Sequence, residues 1–413
     1  LKRPPAAGRP HPLRPPALPA AMARDAGSAL PPAPRTKSGS TVDSGIAPRR
    51  KFPKHLVDIY DIKSHLGSGA FSTVWRCVHR ATGQERAVKK IDTTELSPRE
   101  IAHEIALMRL LRNPNVVRCY DVFLEAQYVN IVIDIFTGGD LIDGLNAHRR
   151  ARGLVPDAQL AHLARQMVAA VAHVHGLKIV HRDIKGENFL CDRPDIGDPD
   201  CNIALADFGT AMRVEPGEQL SSQVGTPPFW APEMWRGRYG FLVDVWAVGV
   251  TAFVLLAGKL PFDGEEQTCA ALEPGQRAFA VPVFATPACV EFLERCMEKD
   301  QRKRPKATEA ARLPWMSTPP YRREEGADKA ALASADDGAL GQALDLLGSA
   351  VVACCGGLGA VVDALASPKK AESVGAASAA SAGSTLAPDK DEIEKQVTEL
   401  STCISKNASN AKA

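Results

Sequence analysis

Ile179-Val-His-Arg-Asp-Ile-Lys-Gly-Glu-Asn-Phe-Leu190 sets His181, Arg182, Asp183, Lys185 and Asn188 between apolar pairs. A plain amphipathic helix does not punctuate itself this way, because its apolar residues return every three or four positions. The polar types share a chemistry. A carboxylate at Asp183 accepts a proton from a hydroxyl nucleophile. Lys185 offers positive charge to a transferring phosphoryl group. Asn188 offers a neutral oxygen to magnesium. Taken singly, each reads equally well as a surface stretch. Asp207-Phe208-Gly209 begins nineteen residues after Asn188 and supplies a second oxygen. Magnesium is commonly held by one or two carboxylates together with substrate phosphates.

Upstream, Gly67-Ser-Gly69-Ala-Phe-Ser72-Thr-Val74 lets a backbone turn tightly and approach phosphates. A bare hairpin turn explains the same residues, and Ser72 stands where the third glycine of G-x-G-x-x-G would be. Ala87-Val88-Lys89 ends a strand. A buried ammonium needs a carboxylate partner, and two candidates follow on one helical pattern, Glu100 and Glu104. Glu104 is preferred because Ile101, Ile105 and Met108 flank its face. Such a pair would aim the ammonium at the phosphates of a nucleotide.

The chain has 413 residues, a net charge of +2, 45% hydrophobic and 24% charged residues, which is ordinary globular composition. The charge balance gives no case for nucleic-acid binding across a broad basic face. Ten cysteines without a C-x-x-C pair fit neither a metal site nor a disulfide framework. Cys77, Cys119, Cys191 and Cys296 read as buried thiols, and a reducing, cytoplasmic compartment is expected. Residues 1–55 are Pro-, Ala- and Arg-rich and are expected to be disordered. From Tyr60 the pattern reads strand, Gly-rich turn, strand, turn at Ala81–Gln84, strand, then a helix in SPREIAHEIALMRLL. VNIVIDIF is a further strand, closed by Thr137-Gly-Gly139, and helical patterns follow. VDVWAVGVTAFVLLAG, with about fourteen uncharged residues, is too short to span a membrane, which takes roughly twenty. A buried core helix is expected instead.

Together these residues resemble the eukaryotic protein-kinase signature. The resemblance covers about residues 56–316 and implies an α+β, two-lobed protein kinase fold. Its parts are a small antiparallel β-sheet N-lobe (about 56–136) with an αC helix, and a larger, mainly helical C-lobe (about 137–316). It implies ATP and Mg2+ as cofactors. Asp183 resembles the catalytic base, Lys185 the phosphoryl-stabilising lysine, and Asn188 and Asp207 the metal ligands. Lys89, with Glu104, resembles the nucleotide-phosphate lysine and its partner. Leu66, Gly67, Gly69, Val74 and Ala87 would line the nucleotide site. Ile133 falls at the gatekeeper position, Asp134, Ile135 and Phe136 at the hinge, and Asp140 would face the ribose or a basic substrate residue. Ala231-Pro232-Glu233 matches A-P-E, with Arg304 as the buried partner of Glu233, and Asp244 braces the catalytic loop. His181 would pack beneath that loop. Thr226 would contact base and lysine.

H-R-D-x-K-x-x-N and the Gly-Thr at 225–226 resemble the serine/threonine type. The wider sequence resembles the calcium/calmodulin-dependent and calcium-dependent kinase group. Glu187 and Asp140 imply protein substrates with an upstream basic residue. Arg182 implies a phosphate on the activation loop placed by an upstream kinase, with Ser221, Ser222 and, second to its structural role, Thr226 as candidate acceptors; the group resemblance adds calmodulin as an implied partner. The alternative is a catalytically inactive pseudokinase scaffold, which usually lacks the lysine, the base or the metal aspartate; Lys89, Asp183 and Asp207 are all present. Gly186 stands where proline is common. Residues 317–413 read as an Ala/Gly/Ser-rich tail without a calcium-binding loop, and DKDEIEKQVTELSTCIS within it as one short helix. The apolar run 346–362 is expected to be a weakly ordered or interaction segment, with membrane contact through acylated Cys354 and Cys355 as the second reading.

Overall fold

A computed structural model describes residues 55–69, 72–215, 217–271, 276–321 and 390–410. The N-terminal segment before residue 55 and the 346–362 run with Cys354 and Cys355 lie outside the described residues.

Helix α1 (Leu56–Ile59) leads into β1 (Tyr60–Ser68), β2 (Ser72–His79) and β3 (Glu85–Asp92). Helix α2 (Pro98–Met108) follows, then β4 (Cys119–Leu124) and β5 (Tyr128–Ile133). These five strands form one antiparallel sheet in the order β1-β2-β3-β5-β4. The turn at 81–84 closes the β2–β3 hairpin. Strand β4 was not marked by the sequence pattern: CYDVFL does not alternate cleanly, because Cys119, Val122 and Phe123 are buried on both faces. Helix α2 starts where its residues dictate. Ser97 and Glu100 form a reciprocal capping box, with Pro98 in the first turn. That cap occupies Glu100, so the capping chemistry removes one of the two candidate partners of Lys89.

The second lobe holds α3 (Leu141–Arg152), α4 (Asp157–Gly176), the short strands β6 (Ile179–Val180), β7 (Phe189–Cys191), β8 (Ile203–Leu205) and β9 (Met212–Arg213), and helices α5 (Pro232–Trp235), α6 (Leu242–Ala257), α7 (Gly264–Cys269), α8 (Pro287–Cys296) and α9 (Ala307–Ala310). Antiparallel pairs β6–β9 and β7–β8 pin the ends of the loop between β6 and β7. Helix α6 is the expected core helix, and its residues Val243–Phe253 are all buried. Trp246 stacks on Phe262 at 5.3 Å, and Trp315 meets Phe292 at 5.2 Å. Both indoles are core residues. Trp230 is only half-buried and packs edge-on to Trp235. Cys77, Cys119, Cys191 and Cys296 are buried. Burial pushes the Cys77 and Cys119 thiols up to about 11 and Cys296 to about 12, which makes them poor nucleophiles.

The tail differs from expectation. In place of the expected short helix, α10 (Lys390–Asn410) runs for 21 residues and packs along α2 and β4. Ile393, Val397, Leu400 and Ile404 are buried in the main apolar core. Their 4-3-4 spacing is one helix face.

Gly186 has a steric explanation. A Cβ there would lie 2.4 Å from Cδ1 of Ile142 on α3. The isoleucine fills the space that a proline or any larger residue would need. Gly186→Ala is expected to cost about 1–3 kcal/mol, as overpacking does. Adding Ile142→Ala should return part of that loss in urea denaturation.

Candidate active site

The upper wall of the cleft is set by strand register. Gly67 lies opposite Val74, Val74 opposite Lys89, and Ala87 opposite Ile133, so these residues occupy adjoining strands β1, β2, β3 and β5. Leu66, beside Gly67, is 42% exposed, whereas Ala87 is buried. Lys89 Nζ donates to Glu104 Oε1 at 2.7 Å and stands 4.0 Å from Asp207 Oδ1. Burial alone pulls the Lys89 ammonium down. Glu104 and then Asp207 outweigh it, so the group lies above the ordinary lysine value. Crowding by neighbouring groups works on Asp207 in the opposite sense although 57% of its side chain is exposed, and Lys89 holds that carboxyl below its usual range. Both groups are therefore charged at neutral pH.

Below the cleft, three side chains close a triangle. Asp183 Oδ1 accepts from Thr226 Oγ1 at 2.7 Å, Lys185 Nζ donates to Thr226 Oγ1 at 2.8 Å, and Lys185 Nζ lies 3.2 Å from Asp183 Oδ2. Asn188 Nδ2 donates to the Asp183 carbonyl at 2.7 Å and to Oδ2 at 3.1 Å. Thr226 reaches this position because Gly225 takes φ +86° and passes close to the loop that carries Arg182 and Asp183. A Cβ on Gly225 would stand 2.3 Å from the Arg182 carbonyl oxygen.

The loop is braced from beneath. Asp244, buried in α6, accepts from His181 N at 2.8 Å, Arg182 N at 2.9 Å and His175 Nε2 at 2.9 Å. Burial would raise the Asp244 carboxyl, but the His175 hydrogen bond and charge lead the opposing effects, and it sits below the usual value. Arg182 is held at φ +70°, a left-handed conformation costly for a long side chain, and the two amide bonds to Asp244 compensate. His181 Nε2 lies 3.1 Å from the Ala206 carbonyl, and Asp183 N donates to its Nδ1 at 3.3 Å. The first contact puts the proton on Nε2, the second leaves Nδ1 as an acceptor, and the ring packs edge-on to Phe208 at 4.9 Å. His181 is thus a packed strut between loop and Asp207-Phe208-Gly209.

Arg182 donates to the Thr210 carbonyl at 2.6 Å and to the Tyr239 hydroxyl at 3.4 Å. Tyr239 in turn donates to the Ser222 carbonyl. Ser221 and Ser222 are exposed. Glu233 and Arg304 form a bidentate pair at 2.5 and 3.1 Å, with Arg304 also donating to the carbonyls of Leu242 and Glu298. Asp134 turns its carboxylate to Arg118 N at 3.0 Å and to the Tyr120 hydroxyl at 2.6 Å. Its side chain is engaged with the β4 side. Phe136 is half-buried against the core. Asp140 caps α3, accepting from Ile142 N and Asp143 N at 2.9 Å. Burial pushes its carboxyl up to about 6; the two amides oppose this, while Asp143 and Glu187 add to it.

The structure adds His175, Tyr239 and His103 to the site, the last with its Nε2 3.1 Å from the Ala211 carbonyl. No spacing marks them, because each contacts a residue 17 to 108 positions away.

Asn188 and Asp207 suit a hard cation. The Asn188 amide nitrogen faces Asp183, leaving the carbonyl oxygen of that amide as its acceptor, and Asp207 is ionised with 57% of its side chain exposed. Among the described residues no group of three or more His, Cys, Asp or Glu is arranged to hold a metal ion. Two oxygens alone leave most of a magnesium shell to phosphates and water.

The fold and this cleft define the class of two-lobed proteins with a lysine–glutamate pair above and a braced aspartate loop below. The chain belongs to the protein kinase domain family, whose pattern it matches over residues 60–316. It is 35% identical over 267 residues to a calcium/calmodulin-dependent protein kinase type II of Caenorhabditis briggsae, covering 63% of this chain and 49% of that one. It is 36% identical over 268 residues to the type II alpha chain of Drosophila melanogaster, covering 63% and 49%. Against the serine/threonine-protein kinase SIK2 of Gallus gallus it is 33% identical over 285 residues, covering 68% and 34%. The chain thus spans about half or less of the length of these relatives. No helix among the described residues is long and apolar enough to cross a membrane.

Proposed function

We propose that this chain is an ATP-dependent protein serine/threonine kinase. One observation carries the reading: a closed Lys89–Glu104 pair at 2.7 Å, with Asp207 4.0 Å from the same ammonium. A pseudokinase scaffold has no need to maintain a part-buried ammonium on a buried carboxylate, poised on a third charge. The substrate hydroxyl would approach Asp183, whose carboxylate orients it and takes its proton. Lys185 stabilises charge on the transferring phosphoryl group, and Thr226 fixes the distance between lysine and carboxylate. Lys89 binds the nucleotide's phosphates, held in place by Glu104. Asn188 and Asp207 would hold magnesium, which supplies neutralisation of developing charge when bound. Positioning and electrostatics do the work, with no covalent enzyme intermediate. Labelled ATP and a basic peptide should give phosphoserine or phosphothreonine. A wild type no faster than Asp183→Asn would overturn the reading.

The preference for an upstream basic residue rests on Asp140 and Glu187. Since the Asp140 carboxyl lies near 6, it is charged at pH 7.5 and largely neutral at pH 5. The KM for an arginine-containing peptide is expected to rise as pH falls through about 6, and Asp140→Asn should flatten that dependence. The stability sign is the reverse. An acid raised in the folded state favours folding most below its unfolded value of 3.8, and that contribution is lost as pH rises through about 6. Regulation by calmodulin, or by an upstream kinase acting on Ser221 or Ser222, is part of the same proposal. Assays with and without calcium–calmodulin, and mass spectrometry across 213–226, test it.

A further inference from the structure

Helix α2, which carries Glu104, is held from two sides. On the inner side are Lys89 and the His103–Ala211 contact. On the outer side lies α10. Its buried residues Ile393, Val397, Leu400 and Ile404 form a strict 4-3-4 stripe, the spacing that seats one helix on another. On α2, Ala102 and Ala106 are buried one helical turn apart, and side chains this small let a second helix approach closely. Polar anchors mark both ends of α10. Lys390 Nζ lies 2.9 Å from Glu218 Oε1, in the segment between Asp207-Phe208-Gly209 and Ala231-Pro232-Glu233. Glu394, in the second turn of α10, pairs with Arg99 in the first turn of α2. Asn407 Nδ2 donates to the Leu124 carbonyl at the end of β4 at 3.1 Å.

The second half of α10, Ser401–Asn410, holds three serines, one threonine and two asparagines, which are weak helix formers. A 21-residue segment of this composition is marginal as a helix in water, so its helicity depends on the surface it covers. Docking and folding of the segment are one event, and therefore reversible.

We propose that the outer face of α2 and β4 is a receptor for an amphipathic helix, filled in cis by α10. The docked helix acts as a clamp that holds Glu104 on Lys89 and ties α2 to the activation segment through Glu218. In this state the Lys89–Glu104 pair is closed and Asp183, Lys185 and Thr226 are assembled, so the clamp is activating. α10 is a positioning element, and its effect on activity rests on the kinase reading above. The occupant is this chain's own helix; a partner helix of the same spacing would have to displace it.

The test uses the full chain. Val397→Asp/Ile404→Asp should lower kcat/KM for ATP at least tenfold and speed amide hydrogen exchange across 98–108, with exchange across 242–257 unchanged. A peptide of residues 390–410 added in trans should restore both, and the same peptide carrying the two aspartates should not. From the α2 side, Arg99→Glu should accelerate exchange across 98–108, and Arg99→Glu/Glu394→Arg should reverse it. Unchanged exchange across 98–108 in the double aspartate variant overturns the proposal, as does a rise in activity, or failure of both rescues. A wild type that transfers no phosphate sinks the kinase reading instead, and the exchange experiment still judges the clamp.

Discussion

Asp183→Asn is expected to lower the phosphorylation rate by about 10²–10⁴-fold, the usual contribution of a positioned general base, while the protein stays folded. The hydrogen-bond inventory explains the selectivity. Asp183 Oδ2 faces two donors, the Asn188 amide at 3.1 Å and the Lys185 ammonium at 3.2 Å, so an asparagine must put its one oxygen there. Its amide nitrogen then faces Thr226 Oγ1, a hydroxyl that accepts as readily as it donates. The triangle survives with one bond reversed, whereas the lone pair proposed to take the substrate's proton is gone. Steady-state kinetics beside thermal melting separate the two effects. The variant should keep its melting temperature within a few degrees and its nucleotide affinity within about threefold, because Lys89, Glu104 and Asp207 are untouched. Equal loss of fold and activity would contradict this account.

The largest effect on stability is expected at Arg304→Met. Arg304 and Glu233 are almost fully buried and doubly bonded, and Arg304 also satisfies carbonyls of Leu242 and Glu298. Removing the guanidinium leaves the Glu233 carboxylate in the interior without its partner, at about 3–5 kcal/mol. For a domain of this size that is a fall in Tm of about 6–20 °C. The double variant Arg304→Met/Glu233→Leu should recover much of the loss, since removing both charges abolishes the uncompensated one. Chemical denaturation of the three variants forms a cycle that reads this coupling. Additive losses would show that the pair is packing rather than an ion pair. Activity should fall in parallel, because Glu233 anchors the end of the segment that carries Thr226.

Much of the site is legible in the sequence because its residue types are chemically narrow and its spacings are short. Asp183, Lys185 and Asn188 lie within six residues, on a loop that two small strand pairs hold at its ends. Glu104 could be preferred over Glu100 from its apolar flanks alone, and the capping box of Ser97 and Glu100 supplies the independent reason. The core helix α6 was legible from hydropathy, since a run without charges at that length has no other stable place.

The sequence by itself determined the α+β, two-lobed class and the partner of Lys89, and it named the groups proposed to react. Tertiary structure alone decided three other things. It set Gly186 against the Ile142 side chain, a contact across 44 positions that no local pattern encodes. It brought His175 to Asp244 and His103 to Ala211. It also seated the tail helix, already marked by the sequence, on the back of α2, nearly 300 positions away in the chain. The physical reason is common to all three. Short-range order follows from backbone sterics and side-chain period, which a sequence displays. Long-range contacts depend on which surfaces remain apolar after local structure has formed, and only the packed chain displays those.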